Sequence, residues 1–542
     1  MGRFKPKIFI CFSALVLSAS IVGAEPLKAN LSTIKAHLEF FSHDLLEGRD
    51  TGASGHEIAS LYMASLFQQY GLTPAGEDGT YFQRIKFRQS FLKQDSPKLL
   101  LTREGKDIPL SYPKQYIMSS SADYELASVQ GEMVFVGYGI VAPELGQDDY
   151  AGLDVKGKIA VMLGGKPKFF PSEEGAHFAS GSQKFRYAAD RGAIGVVSLS
   201  TPTIESIRPY SRLLTRLHAP VVRWLDNNGV PDNTFPKIKN SAYFGPEAAK
   251  ILFEKAPQSL DAIYAQLEKD EVPKGFPLNM RISMSKESEF KEISSPNVVA
   301  LLEGSDPALK DEYVVYSAHT DHIGIAKTVK KDRINNGAMD NASGMAVMLE
   351  TARLYSQMPR PKRSLLFVGV TGEERGLLGS SYYSKNPTVP ISQIVANINL
   401  DMPVLLWNFA DVVAFGSNHS DLGDSVSNAV QKLGLTLSPD PWPEQAIFTR
   451  SDHYNFVKQG IPSVFLMPGL KSKDEGVNGA KIFAEFFRDH YHMPSDEYRG
   501  QFNDEAILRF TQVNMIVGEE VANQEKRPAW NEGDFFGETF AK

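Results

Sequence analysis

Five short segments of this 542-residue chain place histidines and acids in a pattern suited to metal chemistry. They are Ser317-Ala318-His319-Thr320-Asp321-His322, Gly337 to Gly344 around Asp340, Thr371-Gly372-Glu373-Glu374-Arg375-Gly376, Asn399-Leu400-Asp401 and His490-Tyr491-His492-Met493-Pro494-Ser495-Asp496. A histidine directly after a strand presents a ring nitrogen to a cation. An acid two residues on, such as Asp321, projects to the same side and can orient the ligand or the base. A carboxylate in a Gly-flanked turn, as at Asp340, can bridge two cations. Of two adjacent glutamates, one can bind metal while the other stays free as a base. Taken singly, each has a plainer use: an Asp before a helix caps it, and a lone histidine is ordinarily a core or surface residue. His37, His43, His56, His177, His218 and His419 are read that way. The five segments stand apart by their joint occurrence, most of them just after an apolar run.

The elements that must position them alternate strand and helix. Val314 to Ser317, Leu365 to Val370, Val395 to Leu400, Val412 to Phe415 and Val464 to Met467 read as buried strands. Ser343 to Tyr355 and Leu377 to Tyr383 read as helices. Such alternation predicts an α/β three-layer sandwich with a mostly parallel, mixed central sheet, and sites in such sheets lie at the carboxyl ends of strands. Helical spacing marks 31–45 and 58–67. Short Gly-bounded apolar runs at 133–136, 159–162 and 195–199 read as strands of a separate module. The expected plan is a leader at 1–24, an N-terminal part of the main domain at 25–114, an inserted, mainly-β module at 115–285, the chemistry-bearing domain at 286–523 and a loose polar tail at 524–542.

Composition narrows the chemistry. The chain is 42% hydrophobic and 22% charged, ordinary for a globular protein, with a net charge of −7 that argues against nucleic acid as a partner. Arg3, Lys5 and Lys7, the apolar run Ile8 to Val22 and the small residues before Glu25 read as a secretory signal, an uncleaved membrane anchor being the alternative. No later segment reaches the ~20 apolar residues a membrane span needs. The expectation is therefore an exported product, in the periplasm or medium, with no stable membrane association once the leader is cleaved. The one cysteine, Cys11, lies in that leader, which removes disulfides, thiolate ligands and a cysteine nucleophile. No Gly-x-Ser-x-Gly elbow marks a serine nucleophile. Converging carboxylates repel one another and need cations to offset them. With His and carboxylate donors and no thiolate, zinc comes first, manganese or cobalt remaining open.

These segments together resemble the two-zinc exopeptidase family that includes bacterial leucyl aminopeptidase and aminopeptidase Y, and the likeness extends to Leu46-Glu47-Gly48-Arg49. The middle module, with Val134 to Ile140, Asp148-Asp149-Tyr150 and Val155-Lys156-Gly157-Lys158, is similar to a protease-associated domain. The resemblance implies an aminopeptidase that hydrolyses N-terminal residues from peptides with a metal-activated water. It implies two Zn²⁺ per subunit: His319 and Asp401 on one, Glu374 and His492 on the other, Asp340 bridging. It also implies Glu373 as general base, Asp321 positioning His319, and Tyr491 stabilising the tetrahedral intermediate. Arg450-Ser451-Asp452-His453 resembles a substrate-side segment. Carboxypeptidases, dipeptidases and glutaminyl cyclases share the scaffold, and a binding or receptor homologue is the reading outside enzymes. Neither the preferred side chain at the cleavage point nor the oligomeric state is legible.

Overall fold

The computed structural model describes residues 1–2, 28–327 and 329–541. The leader call and Cys11 fall, beyond the first two residues, outside the described residues. The main domain is built on a mixed sheet, parallel at its centre and antiparallel at its flanks. Residues 298–302, the end of the strand Phe276–Leu302, run antiparallel to Ser364–Val370. Ser364–Val370 is parallel to Tyr313–His319, which is parallel to Ile394–Asn399. Ser463–Pro468 adds a further parallel strand, Asp411–Phe415 lies antiparallel beside it, and the short strand Thr436–Ser438 follows parallel to Asp411–Phe415.

The central strands are continuous apolar runs because both faces are covered. Leu365 and Phe367 point into a core shared with Phe41, Met63, Leu349 and Phe510. Leu366, Val368 and Val370 point the other way, against Tyr383 and Phe456. The first face carries the helices Leu31–Phe41, Ser54–Gln69, Ser343–Gln357 and Asp504–Asn523, and the second Leu378–Lys385 and His453–Val457. The fold is thus an α/β sandwich of three layers.

A second hydrophobic core contains Leu101, Phe135, Val161, Leu199, Phe244 and Met284. Its sheet runs Lys98–Arg103, residues 281–285, Leu126–Phe135, Ile159–Leu163, Gly195–Leu199 and Asn240–Phe244, with helices such as Pro246–Phe253 and Leu260–Glu268 against it. The expected boundary at 115 falls inside this unit, because Leu99 and Leu101 pair into its sheet. The boundary at 285 falls inside one strand: Phe276–Leu302 starts in this second sheet and ends in the main one.

The loose tail expected at 524–542 is instead packed. Phe535–Phe540 forms a short helix capped by the Asp534 carboxylate, Phe536 is fully buried, and Trp530 donates to Gly460 O at 2.8 Å. The polar, Gly- and Pro-containing composition hid four large aromatics: Phe536, whose full burial contributes about 1.5–3 kcal/mol, and Trp530, Phe535 and Phe540, packed half-buried around it. Among the described residues no helix is long and apolar enough to cross a membrane.

Candidate metal centre

The parallel register delivers the site. His319 ends its strand opposite Val370, and Ser317 lies opposite Asn399. Three neighbouring strands therefore release their loops at one edge: 320–322 after the first, Thr371 to Glu374 after the second, Leu400-Asp401 after the third. Asp340 reaches the same edge from the turn before the helix Ser343–Gln357. Gly337, at φ +60°, starts this turn, and Asp496 fixes it by accepting from Met339 N (2.9 Å) and Asp340 N (3.1 Å). Asn341 ties the turn to the third strand. Its amide donates to Leu400 O, and its carbonyl oxygen accepts from Gly344 N and Met402 N, each at 3.0 Å. His492 holds a left-handed φ of +59°, unusual for a non-glycine residue, with its ring stacked on Tyr491 at 3.8 Å.

All eight residues singled out in the sequence come together. His319 Nε2 lies 3.1 Å from Asp401 Oδ1 and 3.2 Å from Asp340 Oδ1. His492 Nε2 lies 3.0 Å from Asp340 Oδ2 and 3.0 Å from Glu374 Oε2. The two oxygens of Asp340 thus face two different histidines. Glu373 Oε2 stands further back, 4.0 Å from His319 Nε2.

Asp321 does something other than grip the His319 ring. Its carboxylate is 3.9 Å from His319 Nδ1, which faces the Asp321 backbone carbonyl at 3.1 Å. The carboxylate accepts from Glu373 N (3.0 Å), Glu374 N (3.3 Å) and Thr51 Oγ1 (3.2 Å). It holds the glutamate turn in place, while its main chain orients the histidine.

Four further residues were not given these parts by the sequence. His322 Nδ1 lies 2.7 Å from Glu374 Oε1, yet neither its ring nitrogens nor that oxygen has an aligned hydrogen-bond partner. Ser451 donates to Asp401 Oδ2 at 2.5 Å. Asp452, fully buried, accepts from Ser380 Oγ at 2.5 Å behind Glu373. Arg49, also fully buried, donates to the carbonyls of Thr320 (3.1 Å), Asn336 (2.7 Å), Gly337 (3.1 Å) and Phe41. Asn335 to Asp340 and His319 to Asp321 are thereby clasped by one guanidinium. In the sequence this arginine stands out only as the end of Leu46-Glu47-Gly48-Arg49, with no role attached. Pairings across nearly 300 residues leave no local signal.

The electrostatics explain why such a cluster needs cations. Burial, then the charges of Asp401, Glu374 and Asp452, push Glu373 well above the usual carboxylate range. Burial raises Asp321 to about 6 and Asp452 to about 7. Burial and Glu374 oppose ionisation of Asp340, but hydrogen bonds with His319 and His492 outweigh them and hold it at about 2. Burial pushes the Tyr491 phenol up. Ligand atoms of His319, Asp340 and Asp401 lie within 4.8 Å of one another, as do those of His322, Asp340 and Glu374. Nitrogen and carboxylate donors without sulfur, together with the orphaned Glu374 Oε1, fit zinc.

Two cavities meet this cluster. A small one of about 60 Å³ touches Asp340, Glu373 and Asp401 and is walled by Met402, Ile447, Phe465, Met467, Phe487 and Tyr491, with Arg450 at its side. A large one of about 890 Å³ reaches the cluster at Glu374 and His492 and extends between the main domain and the inserted module.

An α/β sandwich with a histidine–carboxylate cluster at the carboxyl edge of its sheet defines a class of metal-dependent proteins. Residues 297–516 match the model of peptidase family M28. Aminopeptidase YwaD of Bacillus subtilis (strain 168) is 26% identical over 247 residues, 44% of this chain and 47% of that protein. Transferrin receptor protein 2 of Homo sapiens is 28% identical over 325 residues, 56% of this chain and 36% of that one. The chain thus spans about half, or less, of the length of these curated relatives. Among solved structures, an aminopeptidase from Aneurinibacillus sp. strain AM-1 superposes with a TM-score of 0.53 at 19% identity. The match covers 92% of this chain and 96% of that one and shows a shared fold.

Proposed function

We propose that this chain is an exported aminopeptidase that uses two zinc ions to remove the N-terminal residue of peptides. The observation that carries this is the contrast between the two cavities at one cluster. An exopeptidase needs a closed space for a single terminal residue and an open one for the rest of the substrate. The small cavity offers the first, with an apolar wall for a side chain and three carboxylates, Asp340, Glu373 and Asp401, suited to a free ammonium group.

His319 and Asp401 would hold one ion, Glu374 and His492 the other, and Asp340 both. Zinc, when bound, acidifies water and polarises a carbonyl. Glu373, uncommitted to a ligand position, takes the proton of the attacking water and delivers it to the departing amine. Asp321 keeps Glu373 aimed by holding its amide, Ser451 orients Asp401, and the Tyr491 hydroxyl, at the cavity wall, donates to the developing oxyanion. The inserted module, read as a protease-associated domain, shapes access. His322, beside Glu374, either joins that ligand set or steadies it.

Arg450 favours a second reading. A cation at the wall of the small cavity suits a terminal carboxylate, as a carboxypeptidase requires. Peptides blocked at one end decide between them. The expected result, with zinc measured on the same sample by mass spectrometry, is that N-acetylation abolishes hydrolysis, whereas C-terminally amidated peptides are still cleaved. The opposite pattern favours the carboxypeptidase. Zinc-free protein with no hydrolysis points to a binding or receptor homologue.

A further inference from the structure

Resting on the aminopeptidase reading, we propose that the large cavity is an anion subsite that selects peptides with a carboxylate on their departing portion. Its wall carries Arg212, Arg216, Arg223, Lys291, Lys327 and Arg375, against the acids Asp50 and Glu374. The chain as a whole has a net charge of −7, so this cationic wall runs against its overall character. Arg375 is committed to Asp50 at 2.6 Å. Among the described residues, the other five have no acidic side chain within ion-pairing distance. Arg223 Nε is in addition buried without a partner, and a buried unpaired guanidinium nitrogen is costly unless something arrives to accept from it.

The cations are placed where the departing part of a substrate must lie. With the terminal residue in the small cavity on the Asp401 side, the scissile bond crosses the cluster and the remainder leaves past Glu374 and His492. Arg216 marks that path, since it reaches from the inserted module to His492 Nδ1. The module therefore contributes Arg212 and Arg216 to a wall that the main domain continues with Arg223, on the strand Val221–Trp224 paired to Phe82–Leu92, and with Lys291, Lys327 and Arg375. A guanidinium–carboxylate contact is directional and charge-assisted, stronger than the same contact with an amide. Two sources supply such a carboxylate: an acidic side chain after the cleaved bond, or the C-terminus of a dipeptide.

Zinc-loaded full chain is assayed with leucine p-nitroanilide as the neutral reference. Leu-Asp-Ala-NH₂, Leu-Asn-Ala-NH₂ and Leu-Lys-Ala-NH₂ test the side chain, and Leu-Ala against Leu-Ala-NH₂ tests the terminus. The expected kcat/KM is about tenfold higher for the carboxylate member of either pair, the equivalent of about 1.4 kcal/mol. The lysine peptide should be poorest, and the gap should narrow as salt rises. Lys291→Gln and Lys327→Gln, both exposed, should shrink the gap and leave the anilide rate unchanged. Whichever pair shows the preference identifies the source. Equal rates within both pairs, with the anilide cleaved, overturn the subsite while the peptidase reading stands. A zinc-loaded protein that does not cleave the anilide overturns both.

Discussion

Arg49→Lys tests how far the metal cluster depends on a side chain that touches none of its ligand atoms. The guanidinium spreads four hydrogen bonds over carbonyls of three segments: Phe41 on the first helix, Thr320 beside His319, and Asn336 and Gly337 at the start of the Asp340 turn. A lysine ammonium is a compact donor that can reach two of these at best. At least two buried carbonyls are then left unpaired, at about 1–3 kcal/mol each, so a loss of about 3 kcal/mol is expected. Burial already pulls Arg49 down to about 10, while Asp321, Asp340, Asp496 and Glu374 favour its charge. Lysine retains the positive charge, so the effect isolates geometry. Urea unfolding of the metal-free protein reads the stability, and competition with a chromogenic chelator reads zinc affinity. Because Thr320 and Gly337 flank ligand segments, affinity should fall by about 10–100-fold, the usual effect of losing an outer-shell partner. Unchanged unfolding and unchanged zinc affinity would refute the clasp.

Glu373→Gln should keep zinc and lose at least about a hundredfold in kcat, measured on leucine p-nitroanilide, since it removes only the proton carrier. Exhaustive dialysis against a chelator should abolish turnover and added Zn²⁺ should restore it. Gly344→Ala should cost both stability and zinc, because a Cβ there would lie 2.2 Å from Asn341 Oδ1 and 2.5 Å from Leu400 O; thermal melting and metal content check it. His419 sits between Glu173 at 2.6 Å and Asp534 at 2.5 Å, and although burial opposes its charge, these acids raise it to about 9. A histidine raised above its unfolded value adds stability that is complete below about 6.5 and fades as pH climbs through about 9, amounting to about 3 kcal/mol. Urea titrations across that window should show the decline in the native chain and a flatter profile in His419→Gln.

The cluster was legible because His319, Glu373-Glu374 and Asp401 sit immediately after apolar strands, where the parallel register aligns their ends. These residues needed no more than that. Asp321 was half legible: its type and proximity marked it, but its partners are backbone amides 50 residues on. His322 lay in plain view beside His319 and went unassigned, because its relation to Glu374 exists only after two loops meet. Arg49, Ser451 and Asp452 act on groups tens to hundreds of residues away, beyond any periodicity. The tail was misjudged because Trp530, Phe535 and Phe536 are spaced for a tertiary groove rather than for a regular face. The module boundary was misplaced because the alternation Leu278, Met280, Ile282, Met284 was passed over in a Lys- and Pro-rich stretch, and with it the strand it announces.

That strand, Phe276–Leu302, has 27 residues and spans roughly 90 Å at full extension. It pairs with Leu126–Phe135 and Lys98–Arg103 at one end and with Phe82–Leu92 and Ser364–Val370 at the other. Both sheets hang from this single beam. Snipping the module out and resealing the chain would therefore cut a girder of the main sheet, so the module is no interchangeable cassette. Any tilt of the module against the main sheet has to be absorbed as twist along a shared ladder of peptide bonds, so the strand sets the frame of the large cavity within which loop residues such as Ala219, Ile325 and Pro494 form its lining.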